Sequence, residues 1–173
     1  MRSIFLLEEL KLFQANELVT FINRLVDLIT KNMLHSIEAE KSLEAKEIRP
    51  TAMRILIYKL LNKSNKALAL SDLENAFSNS ERTTLFRTLK TFEEKGVVHQ
   101  IQDGSGILKY ALCEPNCNCE FDRDLHLHFH CTICEDTVCL TDHKIPHINL
   151  PEGYKAEDAN LVIKGICKKC NTV

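Results

Sequence analysis

The chain has 173 residues, is 45% hydrophobic and 27% charged, and carries a formal net charge of −2, a composition sufficient for one compact core or two small domains. It has no run of eighteen uncharged apolar residues and no signal-peptide pattern at its N-terminus, so neither a membrane span nor secretion is expected and the cytoplasm is the default location. All eight cysteines lie from position 113 onward, in C-x-C and C-x-x-C pairs near histidines, which in a reducing compartment favours metal over a disulfide framework.

Residues 1–32 are rich in Leu, Ile, Phe and Val. Leu18, Phe21, Ile22, Leu25, Val26 and Ile29 recur at helical spacing with Glu17, Arg24 and Asp27 opposite, predicting an amphipathic helix that packs on the rest of the chain or on a partner subunit. Met33 is an alternative start. From Ser36 to Ile48 the chain is charged and helix-prone, and RPTAMRILIYKLLNKS follows, with Pro50 suited to a first helical turn and Ile55, Leu56, Tyr58, Leu60 and Leu61 available to a core. ALSDLENAF predicts a second helix capped by Ser71 with Glu74 three residues on, and Leu73 and Phe77 on one face. SERTTLFRTLKTFEEKG predicts a third, ending at Gly96, with an apolar stripe of Leu85, Leu89 and Phe92. Two short strand-forming runs then flank DGSG in VVHQIQDGSGILKYAL, a hairpin signal.

Three helices and a hairpin within about sixty residues outline a winged helix-turn-helix, in which one helix enters the major groove and the wing touches the flanking backbone. Thr83, Thr84, Arg87 and Thr88 are short polar and basic groups suited to phosphates and base edges. A small helical domain with surface threonines is the plainer alternative. Charge is uneven: Arg49–Tyr110 has ten Lys/Arg against six Asp/Glu, whereas Ala111–Val173 has six against ten. A basic middle suits nucleic acid and an acidic, Cys/His-bearing end suits cations, although solvated faces explain such counts equally well.

In the last third, CEPNCNCEFDRD predicts an irregular connector. LHLHFHC alternates so that His126, His128 and His130 share one strand face, with Leu125, Leu127 and Phe129 on the other. NLVIKGICKKC predicts a strand running into a turn, with a helix or loop around IPHINLPEG before it. Cys131/Cys134 and Cys167/Cys170 form two C-x-x-C pairs. Four thiolates suit one tetrahedral zinc in a closed, structural site. His126 and His128 would then hold a different ion, with Cys119 or Glu120 before the strand and Cys139 after it as further ligands; His99, His143 and His147 are additional candidates.

Through RPTAMR, TTLFRTL, EEKGVV, HLHFHCTIC and GICKKC, the stretch from about Leu43 to Cys170 resembles the ferric uptake regulator family of metal-dependent repressors, with its zinc uptake regulator-like branch the nearest in ligand chemistry. The resemblance implies an α+β fold: a helical extension (1–42), a winged-helix DNA-binding domain (43–112) and a small α/β dimerisation domain (113–173). It further implies structural zinc at Cys131, Cys134, Cys167 and Cys170, sensing histidines at His126 and His128, and a homodimer closing on a double-stranded palindromic operator. Phe86 stands where the family's recognition helix has a tyrosine. Cys139 stands where a carboxylate ligand is usual, and Leu125, Leu127 and Pro146 occupy positions of an additional family site, which is therefore absent or rebuilt with His143 and His147.

Replacing oxygen by thiolate softens a site, so the expectation is a zinc-sensing repressor, with Zn2+ favoured over Fe2+ at the second site, no enzymatic activity, no small-molecule substrate and no membrane contact. An iron sensor of the same family is the nearest rival. Iron-catalysed peroxide sensing, which relies on carboxylate and histidine ligands, is the least expected. A zinc enzyme would need Glu120 as its base and lacks an H-x-E or H-E-x-x-H motif; a zinc-ribbon adaptor binding only protein is the other alternative.

Overall fold

The computed structural model describes residues 2–113, 126–144, 149–155 and 159–172, with side chains from residue 19 onward except that of Lys144. Two compact units divide the chain, Met1–Lys41 and Ser42–Val173. Helix α1 (Arg2–Ala45) forms the described part of the first and extends into the second. The apolar and charged stretches expected as separate segments are one helix because neither glycine nor proline interrupts them. Val19, Ile22, Val26, Ile29 and Met33 are exposed along it. No helix among the described residues is long and apolar enough to cross a membrane.

The second unit begins with α2 (Ala52–Lys63), β1 (Leu68–Ala69), α3 (Leu70–Ala76), α4 (Arg82–Glu94), β2 (Val98–Gln102) and β3 (Leu108–Leu112). The strands form an antiparallel sheet in the order β1-β3-β2. Leu43, Ile57, Leu73, Leu85, Leu89, Phe92 and Val98 are at most 1% exposed and make the core between helices and sheet. The stripe expected on the third helix is buried as a set. In α2 the inward phase differs slightly from expectation: Ile57 is buried while Leu56 is exposed. Pro50 lies before the helix, whose N-cap is Thr51.

The cap expected at Ser71 is displaced. Strand β1 pairs Ala69 with Lys109 of β3 and runs directly into α3, so the cap falls on Ala69. The Asp72 carboxylate accepts the Ala69 N–H at 2.8 Å, half of a capping box, since alanine has no acceptor side chain to return the bond. Glu74 instead receives Arg82 at 2.5 Å. Helix α4 ends as expected before Gly96, whose φ of 63° is a left-handed turn conformation that glycine adopts without strain.

A second sheet follows: β4 (His126–Cys131), β5 (Thr137–Lys144) and β6 (Leu161–Gly165), in the order β5-β4-β6. Strand β4 is central, antiparallel to β5 and parallel to β6. Between β5 and β6 the described residues 149–155 are turn and coil, with Gly153 at φ 87°. The two sheets meet through Ala67, Ile101 and Ala111, packed by Cys139 and Val162, and Ala67 N–H donates to the Thr137 carbonyl at 2.8 Å. That junction sets the position of the histidines below.

Because Phe92 is fully buried in the helical core, Phe92→Ala is expected to lower unfolding free energy by about 3–5 kcal/mol, measured by denaturant titration with helicity as signal.

Candidate metal centres

Cys131 ends β4, and Cys134 sits in the turn after it; Cys167 and Cys170 occupy the corresponding turn after β6. Parallel pairing of β4 with β6 places Cys131 opposite Gly165, and Thr132 N–H donates to the Gly165 carbonyl at 2.8 Å. A side chain at Gly165 would press on the Phe129 ring, its Cβ falling 3.1 Å from Cζ, so glycine lets the two knuckles come side by side. The four sulfurs lie within 4.8 Å of one another, and Cys134 and Cys167 are 3.8 Å apart. Zinc–sulfur bonds of about 2.3 Å give a tetrahedral edge of about 3.8 Å, so the donor set fits zinc. Backbone N–H groups of Cys134 and Cys167 bring the Cys131 thiol down to about 6, favouring the thiolate a metal requires.

The second cluster joins the sheets. His99 on β2, His126 and His128 on β4 and Cys139 on β5 offer ligand atoms all within 4.8 Å of one another. His128 lies opposite Cys139 in the β4–β5 ladder, and the register shifts between His126 and Leu127, a bulge of the kind that re-aims a side chain. The His126 and His128 ring centroids are 4.7 Å apart, with His99 at 4.9 and 5.3 Å from them. His99 Nε2 is 3.1 Å from His128 Nε2 and 3.5 Å from Cys139 Sγ. Zinc–nitrogen bonds of about 2.0–2.1 Å and a zinc–sulfur bond of about 2.3 Å require edges of about 3.3–3.6 Å; three imidazoles and one thiol therefore fit one ion. Cys113, just after β3, faces the other nitrogen of His99 at 3.6 Å, a contact that orients the ring and selects which nitrogen points at the cluster.

Burial, then the neighbouring His126 and His128, pushes His99 down to about 3, and burial with His126 pushes His128 down to about 4. Both imidazoles are thus neutral at pH 7 and ready to ligate. Burial raises the Cys139 thiol to about 12, so binding there must release a proton and strengthens as pH rises.

Of the residues expected at this site, His126, His128 and Cys139 come together. Cys119 and Glu120 lie outside the described residues, as does His147, and His143 is exposed on β5 away from the cluster. His99, only one of several additional candidates in the sequence, is central. Cys113 was passed over because it opens an irregular stretch; its sole signal was its place at the end of a strand paired with that of His99. On α4, Thr83, Thr84, Phe86 and Arg87 are exposed together, but Thr88 is turned inward at 6% exposure and its hydroxyl donates to the Thr84 carbonyl at 2.9 Å. Helical spacing puts Thr88 on the face of Leu85, Leu89 and Phe92, so it does not face outward with the others.

The model of the ferric uptake regulator family matches residues 45–164. The peroxide operon regulator of Bacillus subtilis (strain 168) is 26% identical over 145 residues, 78% of this chain and 92% of that protein. A zinc uptake regulator complexed with zinc and DNA shares the fold at TM-score 0.55 and 20% identity, over 78% of this chain and 91% of that one. The ferric uptake regulator of Pseudomonas aeruginosa with manganese superposes at TM-score 0.50 and 18% identity, over 76% and 98%.

Two outcomes follow from these geometries. Cys131→Ser is expected to lose one zinc per chain and melt the second sheet, whereas His126→Ala keeps that zinc and the fold, as read by metal analysis and circular dichroism. His99 titrates near 6.5 when unfolded and near 3 when folded, so the unfolded chain binds the extra proton as pH falls below 6.5 and stability drops with it. Protein carrying only the cysteine-bound zinc should lose about 2 kcal/mol between pH 7 and pH 5 through this residue and a similar amount through His128, so His99→Leu is expected to remove about half of the pH dependence when urea unfolding is followed at both pH values.

Proposed function

The chain belongs to the ferric uptake regulator family, whose members are DNA-binding transcription regulators and not enzymes, and on that premise we propose that it is a zinc-responsive repressor acting as a homodimer on a palindromic operator. The carrying observation is the donor set at the junction of the sheets: three imidazoles and the Cys139 thiol, with no carboxylate in the cluster among the described residues. Thiolate and imidazole select zinc, whereas ferrous iron and manganese are better served by sites rich in oxygen. The same composition argues against a part in peroxide regulation like the one named for the Bacillus relative.

Bound at this cluster, zinc would supply four bonds shared between β2 on one side and β4 and β5 on the other. The chain's own residues account for the remaining steps. Closing β2 on the second sheet fixes the direction of the wing and of α4, whose exposed Thr83, Thr84, Phe86 and Arg87 make phosphate and base-edge contacts in the groove. Strand β6 forms one edge of its sheet and leaves Leu161 and Ile163 exposed; this edge, with Ile166 beside it, is where a second copy pairs. Metal that binds the closed arrangement better than the open one shifts the balance by that difference alone. A hundredfold gain in DNA affinity needs about 2.7 kcal/mol.

The test is a fluorescence anisotropy titration of operator-like DNA at separately buffered free zinc and free ferrous iron. Zinc alone is expected to induce tight binding; equal induction by iron would overturn the assignment. Cys139→Asp, which returns a carboxylate, is expected to move the preference at least tenfold towards iron or manganese. Arg87→Ala should weaken binding across sequences and reduce the salt slope by about 1.

A further inference from the structure

Two alternate residues of β2, His99 and Ile101, and Asp103 just after the strand face the second sheet, and the proposed metal site uses only the first. His99 meets His128 and Cys139. Ile101, fully buried, packs with Ala67 and Ala111 where Cys139 and Val162 close over it. Asp103, 1% exposed, meets the next cross-strand pair, His130 and Thr137. One carboxylate oxygen of Asp103 accepts the Thr137 hydroxyl at 2.5 Å, lies 2.7 Å from Lys109 Nζ and is 3.1 Å from His130 Nδ1. The other accepts Ser105 N–H at 2.9 Å. Lys109 also donates to the Glu135 carbonyl at 2.6 Å and to Thr137 Oγ1 at 3.0 Å. His130 Nδ1 is 3.0 Å from the same hydroxyl.

Two polar clusters therefore stand one step apart on the same ladder: His99 against His128 and Cys139, and Asp103 against His130 and Thr137. The second needs no ion, since the Lys109 ammonium already balances the carboxylate. Removing two charges from water is unfavourable unless geometry repays it, so such a group is better explained by the orientation it imposes than by net stability. Here the orientation is that of β2 on β4 and β5, and the atom it places is His99 Nε2.

We propose that Asp103, with Lys109, Thr137 and His130, is an ion-independent clasp that holds β2 against the second sheet, making Asp103 a positioning residue for the metal cluster without being a ligand. This rests on the reading of His99, His126, His128 and Cys139 as a zinc site. Pre-placing a ligand removes part of the ordering cost of binding, so apparent affinity scales with the fraction of chains already closed.

Two variants test it. Asp103→Ala opens the cluster, and Thr137→Val removes the bridging hydroxyl with little change of shape, which keeps the test alive should the unpaired Lys109 prevent Asp103→Ala from folding. In protein holding only its cysteine-bound zinc, amide hydrogen exchange of β2 is expected to quicken at least tenfold in Asp103→Ala and threefold in Thr137→Val, with α4 unaffected. Zinc affinity of the histidine cluster, by competition with a chromophoric chelator, is expected to weaken by the same factors, and saturating zinc to restore the wild-type response, which it cannot do for His126→Ala. Exchange and zinc affinity within twofold of wild type in folded variants would overturn the clasp. If wild-type protein took up no second zinc, the metal reading would fail, while β2 exchange would still decide whether the clasp exists.

Discussion

Strand β4 runs between β5 and β6, and its hydrogen-bonded register is the constraint on which both clusters depend. Pairing with β6 carries Cys131 beside the chain segment that leads to Cys167 and Cys170, while pairing with β5 sets His128 opposite Cys139 and His130 opposite Thr137. A slip of one residue would send every side chain of β4 to the other face. His128, His130 and Cys131 would then leave their partners together, and neither sulfur nor nitrogen donors would converge.

The two clusters divide the chemistry by where they sit. The cysteines belong to one sheet and its turns, so a metal there stabilises the fold that makes it and its binding energy is folding energy. The histidine cluster draws from both sheets, so a metal there is sensitive to how they are disposed. The half-buried His99 and buried His128 imidazoles are neutral and able to ligate an ion, while the half-buried Cys139 thiol keeps its proton until something displaces it. Below that cluster, the Asp103 carboxylate is penalised by burial, yet hydrogen bonds from Lys109, Ser105 and Thr137 outweigh the penalty and hold it below the ordinary carboxylate range. A charge kept in the interior at this junction marks the place where the arrangement of the sheets matters.

The elements with strong local signals were legible in the sequence. Leu85, Leu89 and Phe92 repeat with the helix and are buried; DGSG marked the hairpin between β2 and β3; and paired C-x-x-C motifs marked the four-sulfur cluster through spacing alone. Less legible were features created by partners distant in the chain. The two-residue strand β1 has no periodicity, and its pairing with β3 moved the helix cap from Ser71 to Ala69. His99 belongs to the cluster through the packing of β2 on a strand pair about thirty residues away, which no local pattern encodes. Asp103 looked like an ordinary turn residue ahead of Gly104, and only the position of Thr137 and His130 shows it to be buried.

The claim that this strand carries two zinc sites of different chemistry can be tested directly by X-ray absorption at the zinc edge, comparing protein with one and with two equivalents of metal. Four sulfur ligands are expected for the first zinc, and for the second, by difference, one sulfur and three nitrogens. A second zinc bound mainly by oxygen, or by nitrogen and oxygen with no sulfur, would contradict that claim, because Cys139 and the assignment of zinc as the sensed metal would then have lost their basis.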